Sequence, residues 1–122
     1  MEHTEGFLKI VADARTRVRE VDVPQTLERV RRGARLIDVR EDNEWERGRA
    51  RGAEHIGRGV IERDIETKAP DRGAELILYC GGGYRSALAA DNLRRMGYTN
   101  VYSMAGGWRA WQEAGAPVEG EG

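Results

Sequence analysis

The stretch Glu75-Leu76-Ile77-Leu78-Tyr79-Cys80-Gly81-Gly82-Gly83-Tyr84-Arg85-Ser86 decides how this chain is read. Its apolar start predicts a buried strand ending at Tyr79, and three glycines break it. From Arg85 to Met96, Ala87, Leu88, Leu93 and Met96 recur at helical spacing with Ala90 flanking, and Gly97 stops the pattern. The only cysteine therefore stands where a strand ends and a helix is about to start. Glycines let successive backbone N–H groups turn toward one point without Cβ clashes. The helix start adds free N–H groups and the positive end of its dipole. Both effects favour thiolate, the nucleophilic form, over thiol. A free cysteine is ordinarily an inert core group; the loop around Cys80 is what points to catalysis.

Outward from this loop, strands and helices alternate. Thr4 is placed to cap a helix reaching about Arg17, with Phe7, Ile10, Val11, Ala14 and Val18 on one face. A short strand follows at 19–23, and Pro24 suits the first turn of a helix over 25–32. A buried-type strand at 35–40 leads into a charged helix stopped by Gly48, then a short strand near 53–56 and a helix over 60–68. Residues 101–104 form the last predicted strand and 107–114 the last helix. This order predicts an α/β fold with a parallel sheet covered on both faces. Ligands in such folds sit beyond the carboxyl ends of the strands, where Cys80 stands. The predicted organisation is a helical extension over 1–18, one domain over 19–117 and a flexible tail over 118–122.

Length and composition bound the function. With 122 residues, 39% hydrophobic and 34% charged, the chain suits one folded domain with its own core. A net charge of −1, from 20 Lys+Arg against 21 Asp+Glu, gives no global pull toward nucleic acid or acidic membranes. One cysteine excludes an internal disulfide, and no apolar run approaches the roughly 20 residues that span a bilayer. The first residues lack a secretion-signal pattern, so the expected location is the cytoplasm.

The candidate site is centred on Cys80 as nucleophile, with Gly81, Gly82, Gly83, Tyr84 and Arg85 supplying amides for a small anion. Arg85 either aims its planar guanidinium at that anion or anchors the loop. Ser86 is read as a loop-stabilising hydroxyl, and Tyr84 as shaping the mouth and meeting the acceptor. Asp38 and Arg40 are expected to form an ion pair pinning the turn after their strand. Glu44 is expected as a turn brace, with Trp45, Trp108 and Trp111 as core aromatics. His3 and His55 lack partners at ligand spacing, so no metal site is expected. A Cys80–His55 dyad stays open as an alternative means of activation.

These segments, in this order, resemble the rhodanese family of sulfurtransferases in its single-domain form. The matching pieces are Leu36-Ile37-Asp38-Val39-Arg40-Glu41, Glu44-Trp45, Ile77-Leu78-Tyr79-Cys80 with its loop, Arg85-Ser86-Ala87, Gly97-Tyr98 and Gly106-Gly107-Trp108. The resemblance implies a five-stranded parallel sheet and a cysteine, here Cys80, that carries sulfane sulfur as a persulfide. It implies no cofactor, a small anionic sulfur donor such as thiosulfate, and an acceptor that is cyanide, a thiol or a protein. The family's Gly-His-Ile-x-Gly-Ala box departs here to Gly48-Arg49-Ala50-Arg51-Gly52-Ala53, which predicts altered packing of a turn. Nearby Arg58 stands either at the pocket rim, attracting the anionic donor, or as a solvated surface charge. Two rival readings remain: a non-catalytic rhodanese-like binding module, and a cysteine-loop phosphatase or arsenate reductase. The latter enzymes carry one more residue between cysteine and arginine than the four found here.

Overall fold

Strand β5 (Leu76–Tyr79) occupies the centre of a five-stranded sheet in the computed structural model, which describes residues 3–120. The other strands are β1 (Arg19–Val21), β2 (Arg35–Asp38), β4 (Glu54–His55) and β6 (Val101–Met104). Their order is β1-β6-β5-β2-β4, and every pairing is parallel. All four β5 side chains are buried, as a central strand covered on both faces requires. Alternation sends Leu76 and Leu78 to one core with Ile37, Ile61, Ile65 and Leu93, and Ile77 and Tyr79 to another with Leu36, Met104 and Trp111.

Helices α4 (Ile61–Lys68) and α5 (Tyr84–Arg95) contribute to the first core, and α2 (Val23–Arg31) and α6 (Gly107–Glu113) to the second. Asp22 starts α2 through a capping box, accepting the Gln25 N–H at 2.8 Å while the Gln25 side chain takes its own N–H. Helix α3 (Asp42–Arg47) is a short polar link from β2. Helix α1 (Glu5–Arg15) packs Val11 and Ala14 against Ala87 and Leu88 of α5.

The structure corrects four local expectations. Thr4 precedes α1 but makes no side-chain capping bond, and Ile10 faces outward at 52% exposure. Trp45 is half-buried rather than a core anchor: it stacks on His55, ring centroids 4.9 Å apart, with Arg49 over it. The tail expected to be flexible from residue 118 instead forms β7 (Val118–Glu119), antiparallel to β3 (Arg49–Ala50). Those two residues lie in the box that departs from the family pattern. Ala50 is fully buried there, its N–H donating to the Tyr79 hydroxyl at 3.1 Å. Residues 121 and 122 of that expected tail lie outside the described residues.

Candidate active site

Cys80 follows β5 directly and is 1% exposed. Its Sγ receives the backbone N–H of Gly83 at 3.2 Å and of Ser86 at 3.4 Å. The Ser86 hydroxyl lies 3.6 Å from the sulfur and 2.8 Å from the buried Ser103 hydroxyl on β6. Ser86 thus links the Cys80 sulfur to β6 through buried side chains. Gly83 adopts a φ of +96°, where a Cβ would stand 3.2 Å from the Gly106 nitrogen. The loop needs glycine there both for its backbone angle and for this approach.

The start of α6 holds the loop from behind. Trp108 N–H donates to the Cys80 carbonyl at 2.7 Å, and Arg109 N–H to the Gly81 carbonyl at 3.1 Å. Gly107, with φ +53°, comes so close that a Cβ would lie 2.3 Å from the Cys80 carbonyl oxygen. The Gly106-Gly107-Trp108 turn is therefore the backing of the cysteine loop. Trp111 is buried as expected, whereas Trp108 is half-buried with the Arg40 guanidinium 4.8 Å from its ring.

Arg85 folds over the loop and pairs with Glu44, at 2.8 Å to one carboxylate oxygen and 3.2 Å to the other. This charge-assisted pair holds the Glu44 carboxyl below its usual range and raises the Arg85 guanidinium, which also feels Cys80. Glu44 is thus a brace for the cysteine loop itself, a partnership across 41 positions that the sequence alone does not reveal. Arg85 and Arg58 line one cavity of about 340 Å³ with Glu41, Gly59 and Glu62. Arg58 Nε is buried there without a hydrogen-bond acceptor among the described residues.

The Asp38–Arg40 ion pair forms as expected and is buried. Arg40 Nη2 donates to Asp38 at 2.8 Å and to the Gly48 carbonyl at 2.7 Å. Burial, the largest single influence, pulls the Arg40 pKa down, but the Asp38 hydrogen bonds together with the negative charges of Asp38, Tyr79 and Glu44 leave the guanidinium raised. His55 Nε2 lies 2.8 Å from the Arg40 carbonyl and its ring stacks on Trp45, so no Cys80–His55 dyad forms. The Tyr84 ring does not stand free to meet an acceptor. It is the first residue of α5, packed by His3 at 4.3 Å and Phe7 at 6.1 Å, with Arg15 over its face. Among the described residues no group of His, Cys, Asp or Glu is arranged to hold a metal ion, and no helix is long and apolar enough to cross a membrane.

A parallel α/β domain with a cysteine loop at the carboxyl end of its central strand defines a restricted class of proteins. The model of the rhodanese-like domain matches residues 22–114, and the chain belongs to that family. It is 40% identical over 83 residues to the uncharacterized protein YqhL of Bacillus subtilis, covering 66% of this chain and 62% of that one. The chain thus spans less than two thirds of that relative. It is 37% identical over 84 residues to the thiosulfate sulfurtransferase GlpE of Actinobacillus succinogenes, covering 69% and 74% of the two chains. A solved structure from Rhodopseudomonas palustris, of unknown function and described as a possible tyrosine phosphatase, superposes with a TM-score of 0.84 at 28% identity over 98% of both chains.

Proposed function

We propose that this protein is a sulfurtransferase, moving sulfane sulfur from thiosulfate or a similar donor to a thiophilic acceptor through a persulfide on Cys80. The observation that carries this reading is the convergence of the Gly83 and Ser86 N–H groups on the Cys80 sulfur at the carboxyl end of the central strand. The likeness to a thiosulfate sulfurtransferase supports the same donor class.

In the first step the Cys80 thiolate attacks the outer sulfur of thiosulfate. The new Cys80 S–S bond forms as the donor's own S–S bond breaks, and sulfite leaves with that electron pair. The terminal persulfide sulfur bears the negative charge and is stabilised by loop N–H donors, while Arg58, in the cavity that Arg85 also lines, adds positive charge that attracts the anionic donor. In the second step the acceptor attacks the terminal sulfur and the Cys80 thiolate leaves. With no second cysteine in the chain, the sulfur passes to a separate molecule.

Incubation of the protein with thiosulfate, followed by intact mass measurement, tests this directly. The expected result is a gain of about 32 Da, one sulfur atom, removed by cyanide and absent in Cys80→Ser. An unchanged mass with thiosulfate and with other persulfide donors refutes it. The Rhodopseudomonas palustris structure, described as a possible tyrosine phosphatase, is in line with the cysteine-loop phosphatase reading. Here Arg85 is already held by a carboxylate, and only four residues separate it from Cys80. Turnover of an aryl phosphate that disappears in Cys80→Ser would reverse the preference.

A further inference from the structure

Helix α1 lies outside the residues matched by the family model, yet it reaches the cysteine loop. Arg15, its last residue, donates from Nη2 to the Gly83 carbonyl at 3.2 Å. The same guanidinium lies 4.9 Å from the centre of the Tyr84 ring, and its Nε faces Glu20 at 3.4 Å. Two residues on, Arg17 pairs with Asp13 and with Asp91 of α5, fastening α1 to the domain without a bond to the loop.

We infer that Arg15 is a positioning residue for Cys80 chemistry, acting through the Gly83–Tyr84 peptide; this rests on the proposed role of the loop amides. The peptide is planar and trans, so its C=O and N–H point in opposite directions. A cation fixed on the Gly83 carbonyl therefore fixes the direction of the Tyr84 N–H. It also polarises the peptide and makes that N–H a better donor to an anion. The Tyr84 N–H takes no protein acceptor among the described residues. The Gly83 N–H, on the preceding peptide, already donates to Cys80 Sγ. Gly83 is the most permissive joint between these two peptides, with its φ of +96°. Arg15 closes that joint from outside the loop, and the packing of Val11 and Ala14 on α5 sets where Arg15 stands.

The test compares Arg15→Ala, Arg15→Lys and Arg17→Ala in the full chain. Arg17→Ala loosens α1 without touching the loop, so it lowers the thermal midpoint and keeps kcat for thiosulfate-to-cyanide transfer within about twofold of the parent. Arg15→Ala lowers kcat on the order of tenfold, the size of one charge-assisted hydrogen bond, with a smaller change in KM. Arg15→Lys recovers part of the loss because an ammonium still donates to the Gly83 carbonyl. Alkylation of Cys80 by iodoacetamide is read in parallel and needs no sulfur transfer. In Arg15→Ala its pH profile moves to higher pH, and in Arg17→Ala it stays in place. Equal kcat losses in Arg15→Ala and Arg17→Ala, or an unmoved alkylation profile in Arg15→Ala, overturn the inference. If Arg15→Ala does not fold, the same two readouts on Arg15→Lys decide: intermediate values support positioning, and parent values overturn it. Absence of sulfur transfer in the parent chain would sink the proposed function alone, leaving the alkylation profiles to judge Arg15.

Discussion

Replacement of Gly107 by alanine tests whether the turn before α6 fixes the cysteine loop. The new methyl would lie 2.3 Å from the Cys80 carbonyl oxygen and 2.9 Å from the Gly81 carbonyl carbon. Both atoms are backbone, so no side chain can swing away. Ordinary contact requires a separation larger by about 1 Å, enough to open the 2.7 Å bond from Trp108 N–H to the Cys80 carbonyl. The left-handed backbone costs an alanine ~1–2 kcal/mol. Losing a hydrogen bond in the interior adds ~1–3 kcal/mol. A combined destabilisation of about 2–5 kcal/mol is a large share of the 5–15 kcal/mol typical of a domain. Displacement of the nucleophile by about 1 Å is expected to reduce sulfur transfer on the order of a hundredfold in the folded fraction. Gly115→Ala is the control: its φ is +68° with nothing within 4 Å, so it carries the backbone cost alone. Urea unfolding and sulfite release are measured for both variants. If Gly107→Ala unfolds and transfers sulfur no worse than Gly115→Ala, the turn does not fix the loop.

The Glu44–Arg85 pair gives a pH-dependent signature. Hydrogen bonding to Arg85 depresses the Glu44 carboxyl in the folded state, so its stabilisation is complete above the unfolded carboxylate pKa and is lost as pH falls through the lower folded value. The thermal-midpoint difference between parent and Glu44→Gln is therefore widest above about pH 5 and closes on acidification; a difference that grows on acidification contradicts the pairing. The tryptophans give a contrast in packing: Trp111→Ala is expected to cost ~3–5 kcal/mol in urea unfolding, and Trp45→Ala less than about 1.5 kcal/mol. Equal costs would mean that Trp45 is a core anchor after all.

The main strands and helices were legible because each carried enough residues to show a period. The pattern over 76–79 gave β5, and Pro24 with Gly33 bracketed α2. Strands β3 and β7 are two residues each and too short for any alternation to register. They exist because the chain after Pro117 returns beside Arg49, a tertiary fact. Trp45 read as a core residue because large aromatics usually are, but α3 is a single polar link with no buried face. Cys80 and its glycines were legible as a candidate site because the chemistry they suggest is local to one turn. Glu44 and Arg15 were not: one arginine or glutamate looks like another until the fold brings it to the loop.

What joins these long-range partners is the direction of the loop's peptides. Trp108 takes the Cys80 carbonyl, Arg109 the Gly81 carbonyl and Arg15 the Gly83 carbonyl. Each peptide is trans, so the N–H groups of Gly81, Gly82 and Tyr84 point away from those three donors. None of the three N–H groups takes a protein acceptor among the described residues. A flexible glycine loop alone would meet an anion only after reorganising its dipoles. Here α6 and α1 have already fixed the carbonyl ends, so the N–H ends stand oriented before any charge arrives. That is the arrangement a persulfide's negative terminal sulfur requires, and it explains why substitutions behind the loop, at Gly107 or Arg15, are expected to act on the Cys80 sulfur through the loop's backbone.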